Sequence, residues 1–353
     1  MPLVSVLMPA HNSGAFISAA VDSILGQTFK DFELLVLDDA SSDQTVELLD
    51  GYKDVRVSLH VSESRLGIAR SRNRLVKLAS APLLAWMDAD DVSLDNRLNS
   101  QVDFLSHHPR VAVVGADLCP TDAALRLTGR PWTPPLQAAA IKWQLMFGTP
   151  LFNGTTMARG EIYERVGPYD ENLPVGEDND FWARCAPDVV MANLPRVLLL
   201  YRKHAGNTTA SESQSSVEVG AEISRRALAT LLGKEVSLSV ARILRHAGEG
   251  LRGSSGSEIE AALHLLKEAE SVFDSRGTLS RREQSEIAGL RALQRLRLLR
   301  AGQQAGGSNR RSVSFKASPR LVLDAANHVA RRHMRSVRER LALQSSENRR
   351  LTG

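Results

Sequence analysis

The amino-acid sequence predicts an α/β fold with a Rossmann-like, mainly parallel sheet. Over residues 1–107, short apolar segments alternate with segments whose apolar side chains recur at helical spacing. This alternation is typical of right-handed crossovers between parallel strands. Polar residues follow three of the predicted strands, and open parallel sheets bind their ligands at the carboxyl ends of the strands. A ligand site is therefore expected at that edge of the sheet.

Four strands and four helices are predicted in this part of the chain. The strands are apolar runs that suit burial on both faces of a sheet, and each helix carries an apolar stripe. The predicted strands are residues 3–8, 32–37, 55–61 and 83–87. The predicted helices are one that ends at Gly26, one that ends at Leu49, and residues 66–79 and 94–107. Later in the chain, helices are predicted at residues 161–166 and 177–185 and a strand at residues 197–201.

Three carboxylates follow the fourth strand almost at once, namely Asp88, Asp90 and Asp91. In a partly dry site these groups would repel one another unless a cation or several hydrogen-bond donors compensated their charge. One interpretation is therefore a divalent metal site. The other is a loop in which Asp91 or Ser93 caps the helix at 94–107. The residues alone do not decide between the two.

Several classes of protein are disfavoured by what the sequence lacks. No GxGxxG or GxxxxGK[ST] motif follows the first strand, which argues against a dinucleotide dehydrogenase and a P-loop enzyme. No apolar run approaches the roughly 20 residues that cross a membrane, and the N-terminus does not resemble a cleavable signal. Cys119 and Cys185 lack metal-ligand spacing and suit a reducing compartment. The expected location is the cytoplasm.

The charge distribution predicts two regions. Residues 281–353 contain 17 lysines and arginines against 5 acidic residues, whereas residues 1–280 contain 27 against 35. The polar stretch 207–216 has loop composition and no apolar period. We therefore expect a catalytic α/β domain at residues 1–210 and a basic helical region at residues 211–353.

The basic region contains amphipathic helices and a flexible linker at residues 302–318. One helical face carries Leu323, Ala326, Ala330, Met334, Val337 and Leu341, and the opposite side carries Arg331, Arg332, Arg335 and Arg338. Such a helix can bind an anionic membrane or an acidic partner, or it can pack on the catalytic domain with its arginines toward solvent. Phe315 is the only aromatic residue after position 280, so nucleic-acid binding by base stacking is not expected.

Five sequence blocks, spread in order over residues 3–205, resemble family 2 of the inverting glycosyltransferases, which have the A-type glycosyltransferase fold. The blocks read VSVLMPAHN, FELLVLDDASSDQT, LGIARSRN, LLAWMDADD and VGPYDENLPVGEDNDFWARC. The resemblance implies transfer of a sugar from a nucleoside-diphosphate donor, with a UDP-linked sugar favoured. The acceptor would be a hydroxyl of a glycan or of a lipid-linked molecule, as in the synthesis of cell-envelope polysaccharides.

By matching position, the resemblance also assigns the nucleotide site. The segment containing Pro9, His11 and Asn12 would be the first nucleotide loop. Asp39 would accept a hydrogen bond from the base, and Arg72 would lie near the nucleotide. The family usually has an aromatic residue where this chain has His11. An imidazole can still stack on a pyrimidine.

The metal site follows from the same comparison of positions. Asp88 and Asp90 form the DxD pair, with Asp90 as the direct metal ligand and Asp88 nearer the ribose. His204 would close over the diphosphate or complete the metal shell, although a solvated loop histidine is the alternative. The residues themselves agree with this assignment, because hard oxygen ligands suit Mg²⁺ or Mn²⁺ bridging a diphosphate.

Glu177 and Asp178 form the second chemical group. At the start of a helix, two carboxylates can be explained by helix capping alone. The resemblance instead implies that Asp178 is the general base and Glu177 its orienting neighbour. Transfer needs such a base because a sugar hydroxyl is a poor nucleophile at neutral pH. The rival hypothesis is a non-catalytic protein that binds a nucleotide sugar or a partner on the same fold.

Overall fold

The computed structural model describes residues 1–207, 214–247, 254–305 and 317–351. In that part of the chain, eight strands form one mixed, mainly parallel sheet with the order β3-β2-β1-β4-β7-β6-β8-β5. The strands are β1 (Val4–Ala10), β2 (Phe32–Asp38), β3 (Val57–Val61), β4 (Leu83–Trp86), β5 (Val92–Ser93), β6 (Val113–Thr121), β7 (Met157–Arg159) and β8 (Met191–Arg202). The predicted α/β fold is confirmed.

Seven helices accompany the sheet, and five more follow it in the chain. The first seven are α1 (Ile17–Leu25), α2 (Thr45–Asp50), α3 (Ile68–Leu78), α4 (Arg97–His107), α5 (Ala138–Leu145), α6 (Glu161–Val166) and α7 (Glu177–Cys185). The others are α8 (Gln214–Leu232), α9 (Leu238–His246), α10 (Gly256–Ser275), α11 (Arg281–Ala305) and α12 (Pro319–Leu351). This confirms the predicted helical extension. Most of the predicted linker at 302–318 lies outside the described residues.

The parallel half of the sheet brings the predicted site residues to one edge. β1 pairs in parallel with both β2 and β4, with Ala10 opposite Asp38 and Leu7 opposite Trp86. All seven residues of β1 are buried, because the strand is central and helices cover both faces. The loops after these three strands therefore start side by side. Antiparallel β7 then joins β4 to β6, which ends the parallel half of the sheet.

Several predicted boundaries differ from the observed ones, among them the starts of α4 at Arg97 and of β8 at Met191, and two further differences have a local reason. β3 begins at Val57 instead of residue 55, because the Asp54 carboxylate binds both the backbone and the side chain of Arg56 in a turn. α3 begins at Ile68 instead of residue 66. Gly67 has a φ of 87°, which a helix does not allow, so the turn before it stays outside the helix.

The C-terminal helices pack on the sheet domain. Trp143 and Met146 of the α5 segment share an apolar cluster with Leu228 of α8 and Leu266 of α10. Helix α12 lies on α11 and β8. Within the described residues, no helix has the length and apolar character that crossing a membrane requires.

Helix α12 packs with the face opposite to the one expected. The Arg335 guanidinium donates two hydrogen bonds to the buried carboxylate of Asp117, at 2.6 and 3.1 Å, and Arg332 is partly buried. Leu323 and Met334 are instead exposed. The alternative of packing with the arginines toward solvent is therefore wrong for Arg335 and Arg332, although Arg331 and Arg338 are exposed, because a buried carboxylate on the sheet needs a cationic partner.

Candidate functional site

A cleft of about 990 Å³ lies beyond the carboxyl ends of β1, β2 and β4. Every candidate residue named from the sequence lines it, and no two of the contributing segments are adjacent in the chain. The candidates in its wall are Pro9, His11, Asn12, Asp39, Arg72, Asp88, Asp90, Glu177, Asp178 and His204. The fold explains why these residues lie together, because the loops that follow parallel strands all begin at the same edge of the sheet.

Hydrogen bonds made by side chains of the loop after β1 fix this loop against the loop after β2. Asn12 has a φ of 48°, and its side-chain oxygen accepts a hydrogen bond from the Ser42 amide at 2.8 Å. The His11 ring donates from Nδ1 to the carbonyl oxygen of Asp39 at 2.8 Å. This contact orients the imidazole in the cleft wall.

Asp39 is almost fully buried and has structural partners of its own. Its two carboxylate oxygens accept the backbone N–H groups of Leu66 and Gly67, at 2.6 and 2.9 Å, and Arg65 lies 3.2 Å away. The carboxylate therefore fixes the start of α3 as well as facing the cleft. A hydrogen bond from a nucleotide base to Asp39 stays a prediction.

The carboxylates after β4 repel one another as the sequence predicts. Burial raises the pKa of Asp91 well above its usual range, and the charges of Asp88 and Asp90 add to the rise. Burial also raises the pKa of Asp88, against the lowering effect of the Arg72 guanidinium. A cation in the cleft would relieve this repulsion.

The alternative in which Asp91 or Ser93 caps the next helix is wrong. Helix α4 begins at Arg97 after Asn96, and no side chain caps it. Ser93 belongs to β5. Asp91 points inward instead, where one oxygen accepts the Arg202 amide at 2.8 Å and the other has no hydrogen-bond partner among the described residues.

His204 lies beside Asp90, with its Nε2 atom 2.9 Å from the carboxylate. Its ring lies 4.5 Å from that of Phe16, and the Asn207 side chain also reaches Asp90, at 3.3 Å. The Arg202 side chain stabilises the same loop, since its Nε atom donates a hydrogen bond to the Asp90 carbonyl oxygen at 2.7 Å. The alternative of a solvated histidine is therefore wrong, since the ring has a carboxylate and an aromatic partner.

The donor set fits a hard divalent cation in part. Among the described residues, no group of three or more His, Cys, Asp or Glu side chains forms a complete metal site. Asp90 and His204 offer two neighbouring ligand atoms, with the Asp88 carboxylate close by. Mg²⁺ and Mn²⁺ are commonly held by one or two protein ligands, with the remaining positions taken by phosphate oxygens and water.

Arg72 joins the two ends of the cleft. Its guanidinium forms a buried salt bridge with Glu177, and Nη2 lies 3.7 Å from Asp88. The guanidinium also packs over the rings of Trp86 and Tyr169, at 5.6 and 5.8 Å. The resemblance places this arginine near the nucleotide. In the structure it lies between the carboxylates of Asp88 and Glu177.

The two carboxylates at the start of α7 have different surroundings. Glu177 is buried, and burial raises its pKa against the opposing charge of Arg72. Asp178 is half-buried in the cleft wall and accepts the Asn179 amide at 2.7 Å. Both carboxylates lie in the first turn of α7, and the N-cap residue Gly176 has no side chain to cap the helix, so stabilisation of the helix start stays an alternative to a catalytic role. Asp180 belongs to another cavity, where it pairs with Arg184 and Arg226.

Two further residues lie on the cleft floor, in the segment 152–158 that the family resemblance implies for this position. Asn153 lines the cleft floor and is buried, yet neither its amide nitrogen nor its oxygen has a hydrogen-bond partner among the described residues. At the next position, a Cβ on Gly154 would lie 2.7 Å from the Asp88 carboxylate. Glycine is therefore needed where the floor meets Asp88. The Asn-Gly dipeptide was the available signal, because it marks a turn.

The C-terminal helices form one wall of the cleft. Val219 and Gly220 of α8 line it together with Arg245 of α9. Arg245 donates to the Asn179 side chain at 2.9 Å, and a Cβ on Gly220 would lie 2.5 Å from its Nε atom. This wall brings a positive charge to the residue next to Asp178.

Sequence comparison finds glycosyltransferases similar to the N-terminal part of the chain. The model of glycosyl transferase family 2 matches residues 5–156. An uncharacterized glycosyltransferase of Haemophilus influenzae is 28% identical over 243 residues, which cover 66% of this chain and 75% of the relative. The putative glycosyltransferase EpsE of Bacillus subtilis is 31% identical over 188 residues, which cover 52% of this chain and 66% of the relative. A third relative is the UDP-Glc:alpha-D-GlcNAc-diphosphoundecaprenol beta-1,3-glucosyltransferase WfgD of Escherichia coli. It is 40% identical over 103 residues, which cover 29% of this chain and 41% of the relative.

Solved structures share the fold. Residues 1–349 of S. aureus TarS, crystallised with UDP-GlcNAc, superpose with a TM-score of 0.57 at 18% identity, covering 86% of this chain and 89% of that one. The mannosyltransferase PcManGT from Pyrobaculum calidifontis, in complex with GDP-Man and Mn²⁺, superposes with a TM-score of 0.50 at 16% identity. The superposition covers 87% of this chain and 88% of that one. The architecture is that of the A-type glycosyltransferases.

Proposed function

We propose that the chain is an inverting glycosyltransferase, and the match of residues 5–156 to the model of glycosyl transferase family 2 supports this proposal. It would move a sugar from a nucleoside-diphosphate donor, with UDP favoured, to a hydroxyl of the acceptor in a single displacement. One observation carries this proposal. A single cleft contains the Asp90 and His204 pair, which suits a metal-bound diphosphate, and the half-buried carboxylate of Asp178, which suits a general base. Arg72 links the neighbours of these two groups, Asp88 and Glu177.

The donor would lie along the carboxyl edge of β1, β2 and β4. Pro9, His11 and Asn12 would contact the nucleoside, and Asp39 would accept a hydrogen bond from the base. Asp88 would lie near the ribose. These roles are supported by the position of each residue in the cleft wall and by the sequence blocks that carry them.

Asp90, Asp88 and His204 would hold Mg²⁺ or Mn²⁺ together with the diphosphate. The metal, when bound, would supply positive charge to the leaving nucleoside diphosphate. Arg72 adds a fixed positive charge beside Asp88, which limits the repulsion between the acidic loop and an anionic donor.

Asp178 would remove the proton from the acceptor hydroxyl as the new glycosidic bond forms. It suits this task better than Glu177, because it is half-buried in the wall and makes no salt bridge within the described part of the chain. Glu177 is bound to Arg72 and would orient the start of α7. Inversion follows from one displacement, which needs no covalent intermediate on the enzyme.

The acceptor would enter past the wall formed by α8 and α9 and past an aromatic group. Trp132 is 40% exposed, and its ring lies 5.6 Å from Tyr201 and 5.9 Å from Phe152. Exposed aromatic faces suit the apolar faces of sugar rings. Arg245 would offer its charge to a phosphate or carboxylate of the acceptor. We infer a glycan or lipid-linked acceptor of polysaccharide synthesis, with no role for nucleic acid.

The rival is a protein that binds the nucleotide sugar without catalysis. A pure binder needs Asp39 and Asp90 but has no use for a half-buried carboxylate on the acceptor side. The test is to incubate the purified chain with several nucleotide sugars and Mn²⁺ and to measure release of the nucleoside diphosphate. Metal-dependent release from one of them, lost in Asp178→Asn when an acceptor is present, supports the enzyme. Binding without release from any donor supports the rival.

The reaction is proposed to take place at the cytosolic side of the membrane, where the protein would bind peripherally. A lipid-linked acceptor requires this location, and the basic C-terminal region offers positive charge for an anionic surface.

A further inference from the structure

Helix α12 presents apolar side chains to solvent along most of its length. Six of them form what we call the apolar row, with exposed fractions between 38% and 58%. The apolar row consists of Val322, Leu323, Val329, Met334, Val337 and Leu341. These positions share one side of the helix over about 28 Å at 1.5 Å per residue. Contiguous apolar surface of this kind marks an interaction site more often than it reflects chance.

Specific contacts on the opposite side hold the apolar row outward. Arg335 is bound to the buried Asp117, and the Ser336 hydroxyl donates to the Pro131 carbonyl at 3.1 Å. Glu339 accepts the Val197 amide at 2.9 Å. Rotating the helix to bury the row would leave Asp117 as an unpaired buried carboxylate, which is strongly unfavourable. The outward orientation is therefore built into the packing.

The charged side chains beside the apolar row indicate which kind of surface the row would contact. Arg320, Arg331 and Arg338 are exposed, whereas Asp324 and Glu339, the acidic residues among the described side chains of α12, are only partly accessible. Every exposed Lys, Arg, Asp or Glu among the described side chains of α12 is thus an arginine. A second copy of the same surface would set arginine against arginine, whereas an anionic lipid surface complements both the row and its charges.

We propose that the apolar row is a membrane-contact surface, which enters the headgroup region of an anionic bilayer while the neighbouring arginines bind lipid phosphates. This differs from a membrane helix that uses all four of the arginines Arg331, Arg332, Arg335 and Arg338, since Arg335 is bound to the sheet domain.

The position of the row also suits a lipid-linked acceptor, a step that rests on the proposed function. Arg335 donates to the Pro134 carbonyl at 2.7 Å, and Ser336 binds the Pro131 carbonyl. Trp132, in the same segment, lines the cleft. The membrane-contact helix is therefore fixed to the segment that forms the acceptor side of the cleft.

The experiment measures co-sedimentation of the full chain with vesicles of phosphatidylglycerol and phosphatidylethanolamine. The test variant is Val329→Glu combined with Met334→Glu, and both side chains are exposed, so folding should be unaffected. We expect its partition onto the vesicles to fall at least about tenfold, because two apolar contacts are lost and two charges are repelled. Vesicles of phosphatidylcholine alone should bind the wild type less.

The matched control is Val55→Glu combined with Val61→Glu, which adds the same charge at exposed positions outside α12. It should bind vesicles nearly as well as the wild type, and Arg331→Gln with Arg338→Gln should bind less well. The proposal is overturned if the wild type does not bind vesicles or if test and control variants lose binding equally. It is also overturned if the wild type is a dimer that the test variant dissociates without any vesicle binding in either.

Hydrolysis of the donor sugar, measured on the same preparations, separates this proposal from the proposed function. We expect the Val329→Glu and Met334→Glu variant to hydrolyse donor at the wild-type rate. A wild type that binds vesicles through the row yet acts on no donor would support the membrane surface and contradict the enzyme.

Discussion

The Arg72 guanidinium forms a buried salt bridge with the Glu177 carboxylate. Arg72 comes from α3, whereas Glu177 begins α7, so the pair fixes two elements that are far apart in the chain. The same guanidinium also lies 3.7 Å from Asp88. Its position therefore couples the carboxylate nearest the metal side to the helix that carries the proposed base.

Replacing Arg72 should lower both stability and activity. In Arg72→Met, Glu177 is left buried without its partner, which costs about 3 to 5 kcal/mol of unfolding free energy. The double variant Arg72→Met with Glu177→Gln should recover most of that stability but not the activity. Chemical denaturation and transfer assays on the two variants check this. A double variant with normal transfer would show that the pair is structural only.

Replacing Asp90 should abolish metal-dependent donor binding. Asp90→Ala removes the proposed metal ligand beside His204. Few other protein ligands would remain for a metal ion that must also neutralise a diphosphate. Calorimetry with donor, with and without Mn²⁺, measures the effect, and Asp103→Ala on the exposed face of α4 is the control. Metal-stimulated donor binding by Asp90→Ala would remove Asp90 from the metal site.

A single methyl group on the cleft floor should disturb the metal side. In Gly154→Ala the new Cβ would lie 2.7 Å from the Asp88 carboxylate, so either the floor or the carboxylate must move. We expect donor affinity to fall about tenfold or more with little change in Tm. Gly148→Ala is the matched control, since nothing lies within 4 Å of its Cβ position. Equal affinities for the two variants would contradict the close contact between Gly154 and Asp88.

The packing of α12 should weaken as the pH falls. Burial and, to a smaller extent, the nearby charges of Arg332 and Arg331 together lower the pKa of His328 to about 4 from its usual 6.5. The folded state therefore favours neutral His328, so stability is complete above pH 6.5 and declines between pH 6.5 and 4, by up to about 3 kcal/mol. Hydrogen exchange of α12 measures this. In His328→Gln this part of the pH dependence should disappear, and an unchanged profile would contradict the assignment.

From the sequence one could predict the parallel half of the fold and the meeting of Asp39, Asp88 and Asp90 at one edge of the sheet. Asp39, Asp88 and Asp90 each follow a strand, and the shared direction of β1, β2 and β4 is enough to bring them together. The α12 orientation was predicted wrongly for a definite reason. Helical spacing separates an apolar side from an arginine side, but the choice of the inward side depends on Asp117, which lies in another element.

The acceptor side was less accessible to sequence reasoning. Arg245 reaches the cleft because α8 and α9 fold back over α7, and the approach depends on Gly220 leaving room for the guanidinium. Within the floor segment, Asn153 stands out because its buried amide has no partner among the described residues. Both observations depend on distances between segments that no local pattern encodes.

The most direct test of the proposed catalysis is the transfer rate of Asp178→Asn, measured beside its donor affinity. The account predicts nearly unchanged affinity for donor and metal, with turnover to a working acceptor lower by roughly two to four orders of magnitude, the usual contribution of a positioned base. Asp188→Asn, exposed just beyond the same helix, should behave as the wild type. Near-normal transfer by Asp178→Asn would contradict the assignment of Asp178 as the general base.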